Sequence, residues 1–493
     1  MSKNSYSHIV KYTGLLGGVQ GINIMIGLVR NKLVAVLLGP SGVGLISLFT
    51  SAINLLASAT NLGIATSAVK NISEAYERAD RIAVERIIRL IRSWSMLTAI
   101  MGTLLCLMAA PFISMLTFGH TSHSLHFVML SVVVGFMAIT GGETAILKGT
   151  RRLRRLATIS ILNVVSALFI SVPIYYFFGM SGIVTSLILL ALSQMLITTG
   201  YSYSVYPLKL TLRRDFMSEG TPIVRLGVAF VLSGILGSGA DLLIRSFLSR
   251  EASLEMIGLY TASYMLMMTY AGVAFSAMES DFFPRLSAVN NNVEESNLTI
   301  NRQIEVAFLL VSPMLVAFLV AVPMLLPLLY SSKFMAAISM TKIFVFAIYI
   351  RAVKLPVAYL PLAKGDSASF LLLEAIYDVL YVAGVVVGFH YAQLTGAGLA
   401  ITIVGTIDWM VIVGYAYKKY SYRLDKSIFR YMALQLPIGL TAYLLTFTSS
   451  QWLYWSVGVL LVVLSTLVSL YLLRGKLPVI GRLWLKLRRR REP

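Results

Sequence analysis

Charge is what this sequence has least of. Only 13% of its 493 residues are Asp, Glu, Lys or Arg, and acids are the scarcer sign, 21 against 41 bases. A soluble globular chain carries about 25% charged residues, so this one lacks the polar surface that keeps such a chain in water. Cysteine is limited to Cys106, which excludes an internal disulfide and a thiol-rich metal site. No G-x-x-x-x-G-K-[ST] phosphate loop and no H-E-x-x-H pair occur, which removes the ATP-driven and zinc-hydrolase readings those motifs carry. Sizeable loops are missing too; the longest connection between apolar runs, 278–303, is of mixed charge and offers an enzyme little ground. His120, His123 and His126 share a short loop at a spacing only superficially like a metal site, and are expected to be solvated. No cofactor is expected.

In place of charge stand long apolar runs, with 57% hydrophobic residues overall. The fold class expected is an all-α polytopic membrane protein of about fourteen transmembrane helices, from 12–38 through 452–473. The first run would span roughly 40 Å as a helix and is closed by Gly39-Pro40-Ser41-Gly42-Val43-Gly44. Gly14, Gly17, Gly18, Gly21 and Gly27 keep one side of it thin, for close approach or bending. Arg30 and Lys32 then arrive inside the run, where each charge costs about 2.5–3.5 kcal/mol at mid-bilayer. Such a helix reads as the lining of a polar cavity rather than as an anchor or a cleaved signal. The second run, 44–69, is amphipathic through Ser47, Thr50, Ser51, Asn54, Ser58, Thr60 and Asn61, and reads as a second wall.

Lys and Arg in short connections set orientation. Arg78 to Arg92, Lys148 to Arg155, Lys209 to Arg214, Lys418 to Arg430 and the tail with Arg488, Arg489, Arg490 and Arg491 alternate with connections holding only Arg250 and Lys333. This pattern puts both termini in the cytoplasm and accounts for most of the net charge of +20. The basic residues therefore face the membrane surface, and no nucleic-acid partner is implied.

The run Leu28-Val29-Arg30-Asn31-Lys32-Leu33 before Gly44-Leu45 is echoed by Leu243-Ile244-Arg245-Ser246-Phe247-Leu248 before Gly258-Leu259. The offset of about 214 residues suggests two six-helix units in one orientation, a parallel transporter repeat. The expected organisation is a six-helix lobe over 1–205, a cytoplasmic linker over 206–221, and a second six-helix lobe over 222–420. Two additional helices over 421–473 and a basic tail over 474–493 follow.

The intramembrane charges are the candidate site. Arg30, Lys32, Arg245, Arg351 and Lys354 are candidates to bind an anion in a water-filled cleft, arginine being suited to fork-like contact with phosphate oxygens. Arg30 and Lys32 lie about 200° apart around one helix, so the two cannot share one cleft, and snorkelling to the outer surface is the rival reading. Arg245 is alternatively neutralised by Asp241, one turn earlier. Lys354 and Glu374, and Arg351 and Asp378, are expected to pair as two rungs across a tight hairpin whose short link is 363–366. Asp408 has no evident partner and is read either as a proton-coupling group or as bonding a neighbouring hydroxyl. Glu143 is expected to pair locally with Lys148 and Arg151. An exporter of small cationic compounds on the same architecture is the alternative, and there acids should dominate the cleft.

Arg30 through Leu38 with Gly39-Pro40-Ser41-Gly42-Val43-Gly44-Leu45, then Gly63-Ile64, Pro284-Arg285-Leu286-Ser287 and Leu329-Tyr330-Ser331-Ser332-Lys333-Phe334 carry a resemblance. They look like the polysaccharide transport (Wzx-type flippase) family of the multidrug/oligosaccharidyl-lipid/polysaccharide (MOP) exporter superfamily. Lys32, Lys354 and Glu374 strengthen a likeness to flippases of O-antigen and enterobacterial-common-antigen lipid intermediates; Arg351, Asp408 and the last two helices depart from it. The resemblance implies a V-shaped two-lobe transporter in the bacterial cytoplasmic membrane, without enzymatic activity. It would turn an undecaprenyl-diphosphate-linked oligosaccharide to the outer leaflet by alternating access. Implied partners are that lipid-linked oligosaccharide, the bilayer, and polysaccharide polymerase and chain-length proteins.

Overall fold

The computed structural model describes residues 3–210 and 216–474. Arg213, Arg214 and Arg488, Arg489, Arg490 and Arg491 of the tail lie outside the described residues, and the surroundings of Gly14 and Gly17 in the first helix are likewise not described. The helices run in order as α1 Lys3–Thr60, α2 Ile64–Glu77, α3 Arg81–Phe118, α4 Ser124–Gly149, α5 Leu153–Phe178, α6 Ile183–Tyr203 and α7 Phe216–Glu251. They continue as α8 Leu254–Ala288, α9 Val293–Leu329, α10 Ile338–Ala358, the single turn α11 Leu360–Ala363, α12 Ser367–Tyr420, α13 Lys426–Leu445 and α14 Gln451–Leu473. Among the described residues every regular element is helical, as backbone groups in hydrocarbon require when no barrel closes.

Among the described residues, ten stretches are long and apolar enough to cross a bilayer. Three of them, of 43, 51 and 54 residues, exceed the about 20 residues one crossing needs, and each is divided. In α1 the division is Gly39, at φ 65° and ψ −173°, a conformation glycine adopts without the Cβ clash other residues meet. Pro40 then opens the next helical segment, where its missing N–H costs nothing. A four-residue 3-10 turn, Gly179–Gly182, separates α5 from α6. In α12 the break falls at Ala392 and Gln393, the latter at φ 47°. The second run ends earlier than 44–69: α1 stops at Thr60, Leu62 and Gly63 take positive φ, and α2 begins at Ile64 as a separate amphipathic helix. Two successive left-handed residues end any helix, so the polar side chains up to Asn61 belong to one helix and its terminus.

The chain forms two compact units. One takes in the described residues up to Leu259 with Leu329–Lys333; the other takes in Tyr260–Leu328 and the described residues from Phe334 on. In the first, Phe49, Ile53 and Leu56 of α1 pack with Cys106 and Ile113 of α3 and Phe127, Leu130 and Val134 of α4. A Cβ on Gly44 would stand 2.1 Å from the carbonyl of Leu254, and one on Gly258 would stand 1.8 Å from that of Pro40. The two glycines of the sequence echo are thus where these backbones touch, which only residues without side chains permit. In the second unit α13 and α14 are held to each other by Gln435, which donates to Ser465 O at 3.1 Å and Ser469 Oγ at 2.9 Å. They dock through Tyr454, whose hydroxyl donates to Val320 O of α9 at 2.7 Å, and through Gly439 against the Tyr349 ring of α10. Asp366, just before α12, accepts from Ser369 and Tyr420 and pairs with Lys419 at 2.6 Å. The Lys419 ammonium, then these hydroxyls, hold its carboxyl well below the usual range, fastening the two ends of α12 together. Met108, Phe112, Phe169 and Phe177 stand exposed along apolar helices, as a multi-pass membrane protein presents to lipid.

Candidate functional site

The charges of the second unit converge. Lys354 on α10 forms an ion pair with Asp408, whose side chain has no exposed surface, and its ammonium also lies 4.1 Å from the centre of the Tyr377 ring. This corrects the expected rung to Glu374. After the break at Ala392 and Gln393, α12 folds back on itself and presents its second half to α10 as well. Glu374 lies within electrostatic reach of Lys354, Asp408 and Arg351 without bonding any of them. The rung between Arg351 and Asp378 is likewise not formed. Arg351 Nη1 turns to Met268 Sδ on α8 at 3.1 Å, and its guanidinium stands 5.8 Å from the Phe275 ring. Asp378 Oδ2, Asp408 Oδ1 and Arg351 Nε are buried with no hydrogen-bond partner among the described residues. Two cations and three carboxylates therefore share one patch of buried helix surface, incompletely satisfied, which is costly unless an outside proton, ion or ligand completes it.

Four tyrosines missed in the sequence line this patch. Tyr260 and Tyr264 stack at 6.2 Å, Tyr377 and Tyr381 at 5.6 Å, and the Tyr260 and Tyr381 hydroxyls bond at 2.9 Å. The available signal was two Tyr pairs at i,i+4 in apolar helices, a spacing that puts both rings on one face.

In the first unit Arg30 is half-buried between α1 and α5, its Nε donating to Ser171 Oγ at 2.9 Å, with no carboxylate partner among the described residues. Asn23, two turns earlier, donates to Ser160 Oγ at 2.6 Å, so α5 supplies hydroxyls to one polar strip of α1. Lys32 is half-buried too. Asp241 and Arg245 on α7 pair at 2.8 Å along the helix, the neutralised arrangement anticipated from their spacing.

Two further expectations are corrected. Glu143 does not pair with Lys148 and Arg151. Arg92 of α3 grips it at 2.8 and 3.1 Å, Ser202 donates to it at 2.6 Å, and Arg151 pairs instead with Glu77. Antiparallel packing of α3 on α4 brings Arg92 level with Glu143, which local spacing cannot reveal. The three loop histidines are not simply solvated. His123 lies on the Phe118 ring at 4.1 Å and His126 near Phe49 at 5.8 Å, while His123 and His126 meet at 3.1 Å between Nδ1 atoms. Burial, then His126 and His120, lower the basicity of His123.

The profile of the family described as "Polysaccharide biosynthesis protein" matches residues 9–290, more than half of the chain. No curated protein matches it in sequence. Among solved structures, the lipid II flippase MurJ in an inward closed conformation matches with TM-score 0.72 at 12% identity, covering 92% of this chain and 97% of MurJ. An inward-facing multidrug-resistance transporter of the MATE family of the MOP superfamily matches with TM-score 0.68 at 16% identity, covering 81% and 94%. A MOP-superfamily transporter of Pyrococcus furiosus, described by a reversed polarity of its binding pocket, matches with TM-score 0.60 at 16% identity, covering 83% and 96%. At these identities the structures establish a shared fold. The profile match, over more than half of its length, makes this chain a member of the family described as polysaccharide biosynthesis protein.

Proposed function

We propose that the protein is a flippase that turns an undecaprenyl-diphosphate-linked oligosaccharide, of the O-antigen, capsule or exopolysaccharide repeat-unit class, from the inner to the outer leaflet of the bacterial cytoplasmic membrane. Its family and fold are those of transporters rather than catalysts. The observation that carries the reading is Arg30, a cation in a membrane-spanning helix held by a neutral hydroxyl and no carboxylate among the described residues. A charge so placed is costly until an anion meets it, and a diphosphate is the anion this substrate class brings. Lys32 on another face of α1 and the Asp241–Arg245 pair would be further polar groups of the same unit, and alternating access would move the headgroup across while the lipid tail remains in the bilayer. The patch around Lys354 and Asp408 serves coupling in this account: a proton or cation taken up by Asp378, Asp408 or Glu374 changes its balance of two cations and three acids. Polymerase and chain-length proteins would receive the product.

In vesicles holding the purified protein, Arg30→Gln should slow flipping of a polyprenyl-diphosphate oligosaccharide by about tenfold or more, one lost charge-assisted contact being worth roughly 1.5–3 kcal/mol. Arg30→Lys should recover part of the rate. An unchanged rate in Arg30→Gln would remove this residue from the substrate path. Topology is a separate expectation: a phosphatase reporter active only outside should be silent after Arg155 or Arg423 and active at Ser122 or Thr395, and activity at Arg155 reverses the orientation.

Export of small cationic compounds is the second reading. It is favoured by the excess of carboxylates over cations, three against two, in the buried patch around Lys354 and Asp408. Uptake of a cationic dye into the same vesicles, without flipping of the diphosphate lipid, would establish it.

A further inference from the structure

A cavity of about 560 Å³ opens among the C-terminal end of α2, the first three turns of α3, the turn between α4 and α5, and the chain leaving α6. It lies wholly within the first unit and shares no lining residue with Arg30, Lys32, Asp241 or Arg245. We propose that this cavity binds a phosphate- or diphosphate-bearing headgroup from the aqueous phase or the membrane surface, at a site separate from the transport path.

Five cations and two acids line it, and accounting for their partners leaves cations over. Asp80 is spent as the N-cap of α3, accepting from Ala83 N at 2.9 Å. Glu85 faces Lys209 at 3.9 Å. Arg92 forms the floor, buried and fully engaged: besides Glu143 it donates to Tyr206 O at 2.9 Å and Pro207 O at 2.7 Å, and lies 4.7 Å from the Tyr203 ring. That leaves Arg81, Arg89 and Arg152. The Arg81 and Arg152 side chains make no hydrogen bond or ion pair among the described residues, and the Arg89 guanidinium spends only Nε, on Glu85 O. Arg81 and Arg89 sit on one face of α3, eight residues apart, or about two turns, so both can reach into one concavity. Guanidinium forks match phosphate oxygens two at a time. Tyr76 and Tyr206 on the walls offer ring faces to a sugar or base next to the phosphate. The size falls within the about 300–1,000 Å³ of small-molecule sites. The floor is preorganised, since Arg92 already ties α3, α4 and the chain after α6 together, so a ligand need order only surface arginines.

Arginines on a solvated rim that serve orientation alone would bind nothing, and the test separates that case. Full-length protein in nanodiscs, open on both faces, is titrated with inorganic diphosphate and with uridine diphosphate in purely zwitterionic lipid. In a second arm the nanodiscs contain phosphatidylglycerol and retained lipid is read by native mass spectrometry. Saturable, salt-sensitive binding of either soluble probe, with a raised Tm, supports a soluble ligand. Selective retention of phosphatidylglycerol without soluble binding supports a lipid headgroup. In either case the double variant Arg81→Gln/Arg152→Gln, altered only at exposed positions, should fold normally and lose about a hundredfold in affinity, two charge-assisted contacts at roughly tenfold each. Absence of binding in both arms, or binding unchanged in the double variant, overturns the proposal. Neither result bears on which substrate crosses the membrane, so its failure is distinct from failure of the flippase reading.

Discussion

Lys354→Met should leave little folded protein in the membrane, because it strands Asp408 with no exposed surface and no other bonding partner among the described residues. Breaking a buried pair from one side costs about 3–5 kcal/mol, and the contact of the ammonium with the Tyr377 ring is lost as well. Asp408→Asn alone should cost less, since an amide needs no counter-charge. The pair Lys354→Met/Asp408→Asn should recover folding, read as yield and thermal unfolding in detergent, while transport stays impaired if the patch couples movement to a proton or ion. Lys354→Glu/Glu374→Lys is the control. With Lys354 bonded to Asp408 rather than Glu374, this exchange should fail to restore the fold. If Lys354→Met is as stable as the parent, the pair contributes nothing and the patch is organised differently.

Arg92→Met should be as damaging, through another part of the fold. Arg92 and Glu143 are each only 3% exposed in their side chains and share two hydrogen bonds, and the same guanidinium satisfies the carbonyls of Tyr206 and Pro207. Removing it leaves a buried carboxylate with Ser202 as its remaining donor, a loss of about 3–5 kcal/mol. Arg151→Ala breaks an ion pair with Glu77 whose side chains are about three-fifths exposed (61% and 59%), and should cost under about 1 kcal/mol. The contrast is the measurement: thermal unfolding of both variants in the same detergent should separate them by many degrees. Equal midpoints would mean that the buried pair is replaced by solvent contacts.

These two pairs also show where the sequence was legible. Whatever depends on near neighbours was readable: the bend at Gly39-Pro40, because the residue pair itself dictates it, and the Asp241–Arg245 pair, because i,i+4 spacing on a helix does. Close approach was misplaced: a Cβ on Gly18, Gly21 or Gly27 of the thin side would meet open space, and the backbones touch instead at Gly44 and Gly258, which the echo marked only as helix starts. The partners of Lys354 and Glu143 were not readable either. Asp408 lies 54 residues beyond Lys354, past the reversal at Ala392 and Gln393, and spacing does not say that the second half of α12 rather than the first supplies the partner. Arg92 lies 51 residues before Glu143 on another helix. A charge inside an apolar run declares that it needs a partner but not which one, because the partner is chosen by helix packing. The histidine stack was hidden for the same reason: Phe49 reaches His126 from another helix altogether.

The most direct test of the central claim is lipid analysis after the protein is depleted from cells. The flippase account predicts that one diphosphate-linked oligosaccharide accumulates, inaccessible to a sugar-modifying enzyme added outside, and that export returns with the parent chain but not with Arg30→Gln. If no such lipid accumulates while sensitivity to small cationic compounds rises, the account is contradicted and the protein is an exporter of those compounds instead.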